Sequence, residues 1–264
     1  MILEVEDAGF FYAAGTPIFS HISFSVPEKS IVTVLGQNGR GKTTLLKCIA
    51  GLRTFTSGRL LLDGKEASTN AVFSEERPIV YVPQMHSMAF PYTAEEVVLM
   101  GRARFIGAFS SPSKQDRKVA ERIMERVGVL QFRDMPCTNL SGGQLQLVCI
   151  ARALAAEPQI LLLDEPESHL DFKNQFRILR LIKSLVTERG ISCLMNTHFP
   201  DYALRLSDSS LLMGKGKSVF GPTRDLINAE NIRDYFGVET EVIRVPDRDM
   251  ETLVILEKLE EQTG

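Results

Sequence analysis

Apolar residues recur along this chain with two different periods, and the switches between them divide it into regions. In HISFSVPEKS (21–30), Ile22, Phe24 and Val26 alternate with polar neighbours, which places them on one face of a strand. ILEVEDAGFFY (2–12) also reads as a strand, so the pair predicts an antiparallel sheet near the N-terminus. IVTVL (31–35) is apolar almost throughout, as expected of a parallel strand buried on both faces. A helix is predicted from Lys42 to Ala50, ended by Gly51. Asp63-Gly64 marks a turn, and PIVYVP (78–83) reads as a further strand. From about Met85 to Pro158 the period lengthens. SKQDRKVAERIMERVGVL sets Val119, Ile123, Met124 and Val127 at helical spacing, and no buried-strand pattern interrupts the region. It predicts a helical lobe inserted into a sheet domain. Strands resume at QILLLD (159–164) and ISCLMN (191–196), separated by an amphipathic helix near 172–189. Such alternation predicts right-handed crossovers, a mainly parallel sheet, and ligands at the carboxyl ends of its strands.

Composition changes this picture little. The chain has 264 residues, 44% apolar and 24% charged, with a net charge of -3. That suits a soluble globular protein and gives no sign of a nucleic-acid binder. No apolar stretch approaches membrane-spanning length, and the acidic start MILEVEDAGF has no secretory pattern, so a cytosolic location is expected. Cys48, Cys137, Cys149 and Cys193 form no CxxC pair, and the four histidines show no HxxxH spacing. Buried thiols are expected there, and no structural metal.

Candidate chemistry lies at the predicted strand ends. VLGQNGRGKTT carries Gly36, Gly41, Lys42 and Thr43 in the spacing G-x-x-x-x-G-K-[ST], after a strand and opening a helix. The glycines let successive N–H groups turn inward around phosphate oxygens, and the positive helix end adds to that field. Lys42 would reach the β- and γ-phosphates of a nucleotide, and Thr43 would offer its hydroxyl to Mg²⁺. In LLLDEP, Asp164 can orient the Mg²⁺ shell and Glu165 can act on an attacking water. LSGGQ (140–144) precedes a helical run and supplies a second phosphate-grade N-terminus through Ser141, Gly142 and Gly143. One nucleotide needs only one such loop, so the second cap is available to the nucleotide of another molecule.

With GQNGRGKTT, YVPQ, LSGGQ, ILLLDEP, SHLD and NTH in this order, the chain resembles the ATP-binding cassette family over nearly its whole length. The resemblance implies an α/β P-loop NTPase core with a mainly parallel sheet, an N-terminal antiparallel β subdomain and an inserted helical lobe. It implies ATP and Mg²⁺ as cofactors, and nucleotide contacts from Gly36, Asn38, Gly39, Gly41, Lys42, Thr43 and Thr44. Tyr12 is similar to the aromatic that stacks on adenine, with Phe11 as rival. Gln84 is similar to a glutamine that serves Mg²⁺ and water, and that reports to a membrane partner. His198 matches a histidine that bonds the γ-phosphate beside Glu165. Ser141, Gly142, Gly143 and Gln144 would cap the ATP of a second copy, and Asp171 would couple the two sites, cap the following helix, or both.

Within the family, PYTAEEVVLMGR and the SHLD form resemble bacterial importer cassettes for iron chelates, haem, cobalamin or molybdate-type oxyanions. By that resemblance the chain is a homodimer docked on integral membrane permease subunits at the cytoplasmic face of the inner membrane. An extracytoplasmic substrate-binding protein would serve it indirectly. Met85, Met88, Phe90 and Tyr92 would form the apolar face for the permease, or pack within the lobe. The expected division is a core of 1–84 and 159–220, a lobe of 85–158 and an extension of 221–264. Glu167 departs from the usual threonine or serine, and Leu145 and Leu147 from the usual arginines. An exporter cassette, or a soluble cassette ATPase of translation or DNA repair, is the alternative.

Overall fold

The computed structural model describes residues 2–12, 15, 17–67, 79–84, 87–107, 110–168, 170–246 and 250–256. Strands β1 (Leu3–Phe10) and β2 (Phe19–Val26) pair antiparallel, with Leu3 opposite Val26. The chain then runs through β3 (Ile31–Leu35) and α1 (Lys42–Ile49) and returns as β4 (Ser57–Leu62), antiparallel to β1. Asp63 and Gly64, both at positive φ, turn it into the short β5 (Lys65–Glu66). These strands form one sheet in the order β2-β1-β4-β5.

Next come β6 (Ile79–Val82), three helices α2 (Ala94–Met100), α3 (Lys114–Val127) and α4 (Gly142–Ala155), and then β7 (Ile160–Asp164). α5 (Phe172–Arg189), β8 (Ser192–Asn196), α6 (Pro200–Leu206), β9 (Ser209–Met213) and β10 (Ser218–Pro222) follow. The second sheet has the order β10-β9-β3-β8-β7-β6. Every neighbouring pair in it is parallel except β9 and β10.

Strand alternation explains why this sheet is buried on both faces. Ile160 and Leu162 of β7, with Leu194 of β8, join a core shared with α1 and the antiparallel sheet. Leu161, Leu163, Cys193 and Met195 point the other way, into a core built with α2, α3, α4 and α5. Each strand residue thus finds an apolar partner layer, which is the arrangement a parallel sheet requires.

The helices of the lobe start at defined caps. Thr93 with Glu96, and Ser113 with Asp116, form reciprocal capping boxes for α2 and α3. Leu145 and Leu147 are buried in the lobe core, so they serve packing on α4. All four cysteines are buried and free.

The C-terminal part contains α7 (Thr223–Leu226), α8 (Ala229–Phe236) and the hairpin β11 (Thr240–Arg244) with β12 (Glu251–Ile255). The expected boundary at 221 falls inside β10, because Gly221 and Pro222 pair with Ser210 and Ser209. Asp201 Oδ1 of α6 accepts bonds from Thr252 Oγ1 (2.7 Å) and Leu253 N (3.2 Å), which ties the hairpin to the body. Gln37, just after β3, donates its amide to Phe236 O at 2.7 Å and accepts from Arg40 at 2.8 Å.

Candidate nucleotide-binding site

The carboxyl ends of β3, β7 and β8 lie side by side. Asp164 is in register with Asn196, Glu165 N bonds Asn196 O at 3.0 Å, and Thr197 N bonds Val34 O at 3.1 Å. From β3 the chain passes through Gly36, Gly39 and Gly41, all at positive φ, before α1 begins. At Gly36 a Cβ would stand 2.2 Å from Met213 O, so only glycine lets the loop lie this close to β9. Gly41 caps α1 without a side-chain bond, which leaves the first N–H groups of the helix to a ligand.

Tyr12, Asn38, Gly39, Gly41, Lys42, Thr43, Thr44 and Glu165 line one cleft of about 260 Å³ together with Ile18. Lys42 is 4% exposed, and its Nζ donates to Gly36 O (2.7 Å) and Gln37 O (3.0 Å). Burial pushes its pKa down to about 8, against the opposing pull of Glu165 and Asp164. Thr43 Oγ1 donates to Asp164 Oδ1 at 2.9 Å, so the two groups expected to serve Mg²⁺ already meet. Asn196 Nδ2 donates to the same oxygen at 2.6 Å, and Tyr81 OH to Asp164 Oδ2 at 2.8 Å. Burial and that carboxylate raise the Tyr81 pKa, so the phenol remains a neutral donor.

Glu165 has φ +48°, a left-handed conformation that is strained for a residue with a Cβ. His198 Nε2 lies 2.5 Å from Glu165 Oε1, and Gln84 Nε2 donates to Glu165 Oε2 at 3.2 Å. His198 Nδ1 is 3.3 Å from Lys42 Nζ. Gln84 is held in turn by Ser168 Oγ at 2.8 Å, and that hydroxyl donates to Glu165 O. Tyr12 is 59% exposed; its ring meets Phe10 edge-on and its OH pairs with Thr44 Oγ1 at 3.1 Å. The Arg53 guanidinium lies 4.8 Å from the Tyr12 ring centre.

A phosphate loop, a threonine–aspartate pair and a strained glutamate converging on one cleft make an ATPase geometry. A family model described as ABC transporter matches residues 19–168, more than half of the chain. The chain belongs to the ABC transporter family. This cassette is 35% identical over 234 residues to the molybdate import ATP-binding protein MolC of Haemophilus influenzae, covering 89% of this chain and 87% of that one. It is 35% identical over 251 residues to a probable iron chelatin transport ATP-binding protein of Helicobacter pylori, covering 94% and 98%. A solved structure described as an inward-facing metal-chelate type ABC transporter superimposes with a TM-score of 0.86 at 32% identity, over 97% of this chain and 98% of that one.

The cassette's other expected residues lie apart from the cleft. Ser141 caps α4: its Oγ accepts from Gln144 N at 3.4 Å, and Gln144 Oε1 accepts from Ser141 N at 2.9 Å. A Cβ on Gly142 would meet nothing within 4 Å, and Ser141 and Gly142 are exposed, whereas Gly143 is buried beside Leu170 and Asn174. Asp171 caps α5 by accepting from Asn174 N at 2.8 Å. None of Ser141, Gly142, Gly143, Gln144 or Asp171 lines the cleft. His169 of SHLD and Met85 lie outside the described residues, while Phe90 and Tyr92 are exposed and Met88 packs on the lobe core. Sequence reasoning assigned no role to Tyr81, Asn196, Ser168 or Arg53. Tyr81 and Asn196 stand in YVPQ and NTH, which was the available signal.

Proposed function

We propose that this chain is the ATP-hydrolysing subunit of a bacterial importer, acting as a homodimer on membrane permease subunits. The carrying observation is Glu165, held in a strained conformation at the tip of β7, across the cleft from the Lys42 loop. In this arrangement Glu165 is occupied by His198 and Gln84. For turnover both turn to the nucleotide, freeing the carboxylate to take the proton of the water that attacks the γ-phosphorus, as the bond from that phosphorus to the bridging oxygen breaks and ADP leaves with the electron pair. His198 then donates to the γ-phosphate, and Lys42 exchanges two loop carbonyls for phosphate oxygens. The oxygen-only donor set of Thr43, Asp164 and Gln84 fits Mg²⁺, which prefers one or two protein oxygens plus phosphate. Bound there, the ion would neutralise charge building on the phosphates.

The start of α4 supports the dimer. It presents the exposed Ser141 side chain and Gly142 apart from the residues that line its own chain's cleft, as a cap for a partner's γ-phosphate would. Closure of two copies completes two sites, and opening after hydrolysis moves the attached permease. Among the described residues no helix is long and apolar enough to cross a membrane. Relatives named as import ATP-binding proteins support a subunit that docks on permease subunits at their cytoplasmic side. Relatives named for molybdate, iron chelatin and cobalamin import favour a metal chelate, haem, cobalamin or oxyanion as cargo, delivered by an extracytoplasmic binding protein.

Glu165→Gln tests this reading. The variant is expected to bind ATP and accumulate as dimers on size exclusion, with turnover lowered by about 10²–10⁴. Unchanged steady-state hydrolysis would reject the base assignment. Co-purification with a membrane protein supports the importer, whereas ribosomes or DNA would support the soluble alternative.

A further inference from the structure

Glu167 lies two residues beyond Glu165, yet it does not line the cleft, and it is only 1% exposed. Its partner is the Thr197 hydroxyl. That hydroxyl oxygen also accepts from Phe199 N–H at 3.2 Å, so its single proton is the one given to Glu167 Oε1. The other carboxyl oxygen, Oε2, is buried without a hydrogen-bond partner among the described residues. A carboxyl in this state is costly to bury, and a threonine or serine at the position would avoid that cost.

The position of Thr197 gives the carboxyl a use. Thr197 N is bonded to Val34 O on β3, so its backbone is fixed to the phosphate-loop strand. Its side chain joins the tip of β7 through Glu167 and the next turn through Phe199. His198 stands between these two anchored residues, with one ring nitrogen on Glu165 and the other near Lys42. We propose that Glu167 is a positioning residue for His198: by holding the Thr197 hydroxyl it sets the turn from Thr197 to Phe199, and with it the reach of the imidazole to Glu165 and the γ-phosphate. The inference rests on the ATPase reading above.

The charges around Glu167 make the arrangement sensitive to protonation. Burial, more than any other cause, pushes its pKa up to about 7; Glu165 adds to the rise, while the Thr197 bond, the approach of its own backbone N–H and His198 oppose it. From α6 it is faced by Tyr202, whose phenol donates to Gln175 and is itself raised in pKa by burial and by Glu167. The carboxyl therefore changes charge near neutrality, behind the residue it positions.

The experiment measures steady-state ATP hydrolysis between about pH 6 and 9 for the full chain and for Glu167→Ala, Thr197→Val, their double variant and Glu167→Gln. Each of the first two is expected to lower kcat by about ten- to a hundredfold, with KM for ATP within about twofold. The double variant is expected to be no worse than the poorer single one, since both remove the same bond. Glu167→Gln keeps an acceptor for Thr197, so it retains most of kcat but loses an ionisation near neutral pH. Full kcat in Glu167→Ala, an effect on KM alone, additive losses, or a pH profile untouched by Glu167→Gln would each overturn the proposal. Thermal melting separates misfolding from mispositioning, and Thr197→Val with Glu167→Gln carries the test if the alanine variant unfolds. Wild-type turnover and its loss in Glu165→Gln judge the ATPase reading separately.

Discussion

Lys42 sits almost without solvent, with its ammonium on two backbone carbonyls and its pKa near 8, so the free protein begins to lose that proton in mildly alkaline solution. Triphosphate charge favours the protonated form. ATP binding above about pH 8 is therefore expected to take up a proton, and affinity is expected to fall as pH rises through that value. Calorimetry in two buffers of different ionisation heat measures the uptake directly. Glu167 bears on folding rather than on ATP affinity. Its folded pKa of about 7 exceeds the ordinary 4.5, so its protonated form stabilises the fold fully below 4.5, and that contribution is lost as pH rises through 7. Melting curves of Glu167→Gln are expected to gain on wild type between those two values. That Lys42, Thr43, Asp164 and Glu165 would meet at the strand ends was readable from the motifs. Tyr81 and Asn196 were not, because their bearing on Asp164 comes from the alignment of three strands that are far apart in sequence.

Whole strands were easier to read than their neighbours. β3, β7 and β8 are short apolar runs, and burial on both faces forces such composition. α5 spans Phe172–Arg189, where amphipathic periodicity placed it, with Asp171 and Gly190 as caps. The extension carried no pattern of a buried strand, since in β12 only Leu253 packs on a core cluster while Val254 and Ile255 are exposed. Between α2 and α4 the approach is tight: a Cβ on Gly101 would stand 2.0 Å from Arg152 O. Gly101→Ala is thus expected to cost about 1–3 kcal/mol in denaturant unfolding, because the obstacle is backbone and the helices must separate. Ser141→Ala removes the cap of α4 and is expected to cost about 0.5–2 kcal/mol by the same measurement.

At the scale of the molecule, two apolar layers hold the parallel sheet while its strand ends remain free for polar work. The C-terminal part reaches back to that end, where the Gln37 amide is clasped between Phe236 O and Arg40. Gln37→Ala is expected to raise KM for ATP severalfold, measured beside an unchanged melting midpoint. Because a shared bond works in both directions, whatever steadies the loop also steadies α8. Protease cutting after α8 would then report on the nucleotide: slow when ATP is present, faster when the cleft has emptied.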